Sequence, residues 1–275
     1  MILLDYPFAT NLEYKNNSAV CILIFHGLAS TPFEMQHLAE SLSKKGYDVF
    51  APIIPYHGTT YERLLQLEDP TELYEWGKEL ISKKKQEYEK LIVIGFSLGA
   101  GITYVSETSK PTADAYIGIS TGGIFSWMLR LFSIIYRFIK IRSIPISLAS
   151  DYDRSLVDED YLQWKLENMN KMPMSILVHA VRQSKQMKRS IKNLVTPFLI
   201  INGVKDLATS KKATTYLVKN ASSKIRMGYL VKGGGHMILN TRFFDIIFEE
   251  ITDFINRILD DDKSGIEYLG VLSLK

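Results

Sequence analysis

Short, nearly unbroken apolar runs alternate with longer amphipathic stretches along the 275 residues of the chain. The runs Val20–Phe25, Tyr47–Ala51, Leu91–Gly95, Asp114–Ser120, Pro197–Ile201 and Ile225–Val231 show little polar alternation. That pattern predicts strands covered on both faces rather than half-exposed ones. Helical periodicity fills the intervals. Thr31 reads as the N-cap of a helix over Pro32–Lys45, with Pro32 at the first helical position and Glu34 three residues past the cap, as in a capping box. Met35, Leu38, Ala39 and Leu42 share one face of it, and Gly46 ends it. Further helices are expected from Asp69-Pro70 to about Tyr88, and over Leu98–Glu107, Ser210–Asn220 and Arg242–Leu259. Strand-helix alternation of this kind predicts an α/β fold: a doubly wound, mostly parallel sheet whose chemistry sits in the loops leaving the carboxyl ends of the strands.

The alternation breaks once. Between Gly122 and about Asn193 no strand is legible, and the composition moves toward Met, Ser, Arg and Lys. The expected organisation is a core of residues 1–123 and 194–259, a helical cap inserted over 124–193, and a C-terminal tail over 260–275. Within the insertion, Ile124–Ile141 (IFSWMLRLFSIIYRFIKI) places Ser126, Arg130, Ser133, Arg137 and Lys140 on one helical stripe among apolar neighbours. Three cations and a regular polar stripe argue against a membrane span. A helix packed within the cap, the wall of an acyl pocket and an interfacial helix in transient contact with lipid all fit this pattern.

Composition narrows the functions. Hydrophobic residues make up 46% and charged residues 23%, an ordinary globular balance. The net charge is only +3, and three of the cations are the run Lys83–Lys85, read as solvated surface, so no basic face for nucleic acid is expected. The single cysteine, Cys21, lies inside an apolar run, which excludes a disulfide framework or a Cys-rich metal site and reads as a buried hydrophobe. Met1–Asp5 has neither the basic nor the apolar length of a signal peptide, so a cytoplasmic location is expected.

The most informative segment is Leu91–Gly101, LIVIGFSLGAG. Gly95-Phe96-Ser97-Leu98-Gly99 follows an apolar strand and opens a helix, the setting of a nucleophile elbow. The turn is so tight that positions two before and two after the serine must be nearly free of side chain, and both are glycine. Ala100 and Gly101 extend this small-residue patch toward the sheet. A serine hydroxyl needs a positioned base. Of the five histidines, His37 and His179 lie in helical stretches, His57 and His26 follow early strands, and His236 lies beyond the last strand in Gly233-Gly-Gly-His236, where the glycines are expected to let the imidazole swing over the sheet edge. His236 is therefore taken as base. Asp206, in the loop after Pro197–Ile201, is taken as the carboxylate that orients it, in the chain order Ser, acid, His. Two backbone N–H groups should meet the developing oxyanion, one from Leu98 after the nucleophile and one from Leu28 in the loop after the first strand.

With these residues the chain resembles the α/β-hydrolases, and among them the small bacterial carboxylesterases and monoacylglycerol lipases. The likeness rests on FHGLASTPFEMQHLAESLSKKGYDVFAPIIPYHG (Phe25–Gly58), IVIGFSLGAG (Ile92–Gly101), FLIINGVKD (Phe198–Asp206) and GGGHMIL (Gly233–Leu239). It implies Ser97, Asp206 and His236 as catalytic residues, Leu28 and Leu98 as oxyanion donors, a helical cap, and neither cofactor nor metal. Ala100 departs from the glycine many relatives have, and the family says nothing of residues 260–275. The resulting expectation is a serine esterase for small-molecule esters with apolar acyl chains. Thioesterase and acyltransferase activities share this triad. A non-catalytic binding protein on the same fold would be expected to lose part of it. No oligomeric state follows from the sequence.

Overall fold

In the computed structural model the described residues are 6–67, 69–121, 131, 134, 143–145, 153, 155–169, 171–260 and 264–274. Eight strands form one sheet: β1 (Leu12–Tyr14), β2 (Val20–Phe25), β3 (Asp48–Ala51), β4 (Lys90–Phe96), β5 (Ala115–Ile119), β8 (Phe198–Gly203), β9 (Ile225–Val231) and β10 (Ile266–Leu272), in the order β1-β3-β2-β4-β5-β8-β9-β10. All pairings are parallel except β1 with β3. The six strands read from apolar runs are present with ends shifted by no more than two residues.

Both faces of the sheet are covered, and the period-2 alternation of strand side chains sorts its residues between the two cores. On one face Ile22 and Ile24 of β2 and Ile92 and Ile94 of β4 pack with α1 (Gln36–Ser43) and α8 (Phe244–Leu259). On the other, Cys21, Leu23 and Phe25 of β2 and Leu91 and Val93 of β4 meet α3 (Thr71–Glu87) and α4 (Leu98–Ser109). Farther along that face Tyr116 and Phe198 pack with α4 and α7 (Lys212–Asn220). Cys21 is buried and its thiol is pushed up to about 12 by burial, so it acts as a small hydrophobe.

Several local expectations shift. The helix at Pro32 begins as a 3-10 turn over Pro32–Met35 before α1, with Thr31 Oγ1 accepting from Phe33 N at 3.2 Å. The Glu34 carboxylate, placed by its spacing for a capping box, bonds Ser30 and Lys165. Of the lysine run only Lys83 is exposed. Lys84 is buried against the Phe50 ring and pairs with Glu87, and Lys85 pairs with Asp114. α2 (Tyr61–Leu64) and β1 are too short to carry a legible pattern. β10 lies in the segment expected as a tail, paired with β9 from Ile266↔Ile225 to Leu272↔Val231.

Between β5 and β8 the described elements are β6 (Ser143–Pro145), α5 (Glu159–Asn168), β7 (Lys171–Pro173), α6 (Met174–Ser190) and a 3-10 turn (Ile191–Asn193). β6 and β7 pair antiparallel, a two-stranded ribbon where no strand was expected. The amphipathic stretch Ile124–Ile141 lies outside the described residues apart from Leu131 and Ile134, which are helical and exposed. Among the described residues, no helix is long and apolar enough to cross a membrane.

α4 lies so close to β2 and β4 that a Cβ on Gly99 would stand 2.2 Å from Phe25 O, and one on Gly95 2.5 Å from Ala100 N. Gly101, expected to share this role, faces open space. Gly99→Ala should therefore destabilise the protein by roughly 2 kcal/mol or more, whereas Gly101→Ala should be neutral or stabilise it by about 0.5–1 kcal/mol through helix propensity. Urea unfolding midpoints test the contrast, and equal effects would contradict it. Truncation after Asp260 removes the whole β10 ladder, with its seven paired positions, and should lower Tm by roughly 10–25 °C, at ~1 kcal/mol net per hydrogen bond and ~2–4 °C per kcal/mol; an unchanged Tm would show the strand adds nothing.

Candidate active site

Ser97 joins β4 to α4 with φ 51° and ψ −106°, a left-handed region that non-glycine residues rarely occupy. Such strain costs ~1–3 kcal/mol and persists only where the surroundings enforce it. Here Ser97 N–H donates to Ile119 O at 2.9 Å and Gly99 N–H to His26 O at 3.2 Å, which pins the turn to β5 on one side and β2 on the other. These two bonds also occupy the N–H groups flanking Leu98. The side chain of Ser97 is thereby raised above the carboxyl edge of the sheet, half-buried.

His236 and Asp206 reach the same edge from the loops after β9 and β8. The loops meet because Gly203 has no side chain: a Cβ there would stand 2.1 Å from Gly235 O and 2.4 Å from Gly234 O. Lys205 N–H donates to Gly234 O at 2.8 Å. Gly203 thus lets the two loops pack backbone to backbone, and in the His236 loop Gly234 has no room for a Cβ, which would stand 2.8 Å from the Ile238 side chain, while Gly233 takes φ 88°. His236 Nδ1 lies 2.8 Å from Asp206 Oδ2 and His236 Nε2 lies 3.0 Å from Ser97 Oγ. A proton on Nδ1 satisfies the carboxylate and leaves the Nε2 lone pair to accept from the serine hydroxyl. The Phe96 ring stands 5.4 Å from the imidazole, centroid to centroid.

The Asp206 side chain is fully buried. Burial alone would raise its carboxyl, but the His236 imidazole, the Thr209 hydroxyl and the Thr209 N–H together hold it below the ordinary carboxylate value. Thr209 Oγ1 donates to Oδ2 at 2.6 Å, and the N–H groups of Ala208 and Thr209 donate to Oδ1 at 2.7 and 3.0 Å. Ser120 Oγ, at the end of β5, donates to His236 O at 2.5 Å. Neither Thr209 nor Ser120 was singled out from sequence. Thr209 sits three residues past the acid, a local signal; Ser120 is marked only by its place at the end of a strand beside β4.

Leu28 lies in the loop after β2, half-buried and adjacent to Ala29, whose φ is 52°. A Cβ on Gly27 would stand 3.0 Å from the Phe96 ring and 3.6 Å from Ser97 Cβ, so this loop passes directly beside the serine. The other histidines are accounted for by packing. His37 stacks edge-on against Phe244, and His179 lies 3.8 Å from Asp69. His26 is fully buried, with Nδ1 2.8 Å from Gly27 O and Nε2 accepting from Ile54 N–H at 3.0 Å. It ties the loop carrying Leu28 to the end of β3. His57 packs against it with centroids 5.3 Å apart. Among the described residues no cluster of three or more His, Cys, Asp or Glu could hold a metal ion.

Burial, with His57 beside it, holds His26 far below the ordinary imidazole value, and burial lowers His57 to about 4. In the unfolded chain both titrate near ~6.5. Below that pH the unfolded state binds protons that the folded state refuses, so stability falls as pH drops toward the folded values, by ~1.4 kcal/mol per pH unit for each histidine. Unfolding free energies between pH 7 and 5 should show this slope, and His57→Gln should make it shallower by about one such increment; an unaltered slope would contradict the burial argument.

The family described as Hydrolase_4, serine aminopeptidase S33, matches residues 16–242. A thermostable monoacylglycerol lipase from Bacillus sp. (strain H-257) is 34% identical over 109 residues, a stretch spanning 38% of this chain but only 42% of that enzyme. A monoacylglycerol lipase from Mycolicibacterium smegmatis is 21% identical over 247 residues, 85% of this chain and 87% of its own. Among solved structures, one from the metagenome-derived lipolytic enzymes LipS and LipT superposes with a TM-score of 0.75 at 18% identity, over 91% of this chain and 98% of that one. The monoacylglycerol lipase of Paleococcus ferrophilus superposes with a TM-score of 0.66 at 16% identity, over 90% and 98%. With the family match running through most of its length and this fold beneath it, the chain belongs to the Hydrolase_4 family of α/β-hydrolases.

Proposed function

We propose that the protein is a serine hydrolase that cleaves carboxylic esters with apolar acyl groups, as a carboxylesterase or monoacylglycerol lipase, through an acyl-serine intermediate. The observation that carries this reading is the hydrogen-bonded series Asp206–His236–Ser97, at 2.8 and 3.0 Å. Ser97 Oγ attacks the carbonyl carbon as its proton passes to His236 Nε2, and Asp206 stabilises the resulting imidazolium. The N–H groups of Leu28 and Leu98 receive the oxyanion. Collapse of the intermediate expels the alcohol, which takes the proton from His236. Water then adds to the acyl carbon, giving its proton to Nε2; the Ser97–acyl bond breaks, and Ser97 regains its proton as the carboxylic acid leaves. The chemistry requires no cofactor or metal.

Preference for an apolar acyl chain is supported by the apolar excess of Ile124–Ile141 in the sequence and by the exposed Leu131 and Ile134. The same reading makes 124–193 a cap over a core formed by 1–123 and 194–259, with β10 as that core's outer strand, and it includes a cytoplasmic location with transient lipid-surface contact. The partner is the ester itself, and no nucleic acid is involved.

Nitrophenyl esters of graded acyl length should be hydrolysed fastest at an intermediate chain length, with Ser97→Ala lowering kcat by about 10⁴-fold or more. A fluorophosphonate should label Ser97. Steady decline from acetyl upward would remove the apolar-acyl assignment, faster turnover of matched thioesters would favour a thioesterase, and a folded protein that resists the label would favour a binding role.

A further inference from the structure

We propose that Glu34 is a positioning residue: its carboxylate ties the loop carrying Leu28, through Ser30, to the insertion helix α5, through Lys165, so that the seat of α5 sets the oxyanion loop. This rests on the reading of Leu28 as an oxyanion donor. Glu34 lies in the 3-10 turn that follows the loop, and its side chain is almost wholly inaccessible, at 1% exposure, as is that of Lys165 at 4%. One carboxylate oxygen, Oε1, receives Lys165 Nζ. The other, Oε2, accepts from Ser30 Oγ at 2.5 Å. Ser30 Oγ also lies 3.2 Å from Tyr161 OH, one turn before Lys165 on the same face of α5. The backbone of Glu34 reaches the other half of the site, since Asn240 Nδ2, four residues past His236, donates to Glu34 O at 3.1 Å.

A buried carboxylate and ammonium are costly, and a pair of this kind often adds no net stability over apolar residues of similar volume. The aromatic contacts around it already seat α5 on the core: Phe8 meets Tyr161 and Trp164 with centroids 5.4 and 5.7 Å apart. What the pair adds is direction. Between Leu28 and Ser30 stands Ala29 in the left-handed region, φ 52°, a conformation that relaxes unless it is held at both ends. His26 holds the upstream end through Gly27 O and Ile54 N. Ser30, through Glu34, holds the downstream end. An oxyanion donor must sit within a few tenths of an ångström of its place to be effective, which is the precision that two anchors on a strained loop provide.

Lys165→Met alone would leave a buried carboxylate without its cation and threaten folding, so the informative variants are Glu34→Leu/Lys165→Met, which replaces the whole pair with apolar groups, and Ser30→Ala, which removes the loop's hydroxyl from both Glu34 and Tyr161. The double variant should keep a Tm near that of the wild type, and Ser30→Ala should remain folded with its Tm lowered by roughly 2–10 °C, because buried Glu34 and Tyr161 each lose a partner. Both should lose about 10- to 100-fold in kcat with KM little changed and with the same loss for short and long acyl esters. Hydrogen exchange at the Leu28–Thr31 amides should quicken in both. A double variant with wild-type kcat and wild-type exchange would overturn the proposal and leave the pair a packing device. So would a rise in KM confined to long acyl chains at unchanged kcat, which would make the pair a support of the acyl pocket. Exchange needs no turnover: if the wild-type enzyme proved inert toward every ester, the ester reading would fail, and the amides of Leu28–Thr31 would still decide whether Glu34 holds the loop.

Discussion

The close approach of α4 to the carboxyl ends of β2 and β4 is the constraint on which the rest of the molecule depends. It leaves no room for a Cβ at Gly95 or Gly99, and it forces Ser97 into a left-handed conformation that only the surrounding hydrogen bonds sustain. The strain is spent on placement: the serine hydroxyl is lifted out of the sheet and held in line with two loops that come from far along the chain. A helix set one side-chain layer farther away would relieve Ser97 and lose the alignment with His236.

Around that point the structure builds rigidity by making each loop answer to its neighbours. The Asp206 and His236 loops are held against one another because Gly203 admits the backbone of Gly234 and Gly235. Asp206 stays ionised inside the fold because three donors besides the imidazole satisfy its oxygens. The loop bearing Leu28 is clamped by a neutral, buried His26 and by Ser30 on Glu34. The uncharged state of His26 follows from its burial, and that state lets Nε2 accept from the Ile54 N–H. The buried charges of Asp206, Glu34 and Lys165 each meet a partner already in place.

Apolar runs such as Val20–Phe25 and Ile225–Val231 kept their boundaries, because a strand buried on both faces has no choice of register that would expose it. Elements without that constraint were not legible: β10 is largely apolar but lies past the last helix and is exposed along much of its length, so its run reads as a tail, and the strands of the β6–β7 ribbon are only three residues long. Glu34 shows the same limit in a single residue. Its spacing from Thr31 matches a capping box, and a local rule has no means of knowing that Lys165, 131 residues away, pairs with its carboxylate.

The residue pattern by itself determined the layered α/β architecture, the tight turn around Ser97 and the order in which serine, carboxylate and imidazole occur. These are short-range matters, decided by side-chain volume, by the absence of Cβ at two positions and by hydrophobic periodicity. Tertiary structure alone decided that Asp206 and His236 meet, that Gly203 and Gly234 are needed for close packing, that Lys84 is buried, that the last strand completes the sheet, and that Ser120, Thr209, His26 and Glu34 hold the site in place. Each of those outcomes joins atoms distant in sequence, or depends on which atoms are denied water, and neither property is written in any local run of residues.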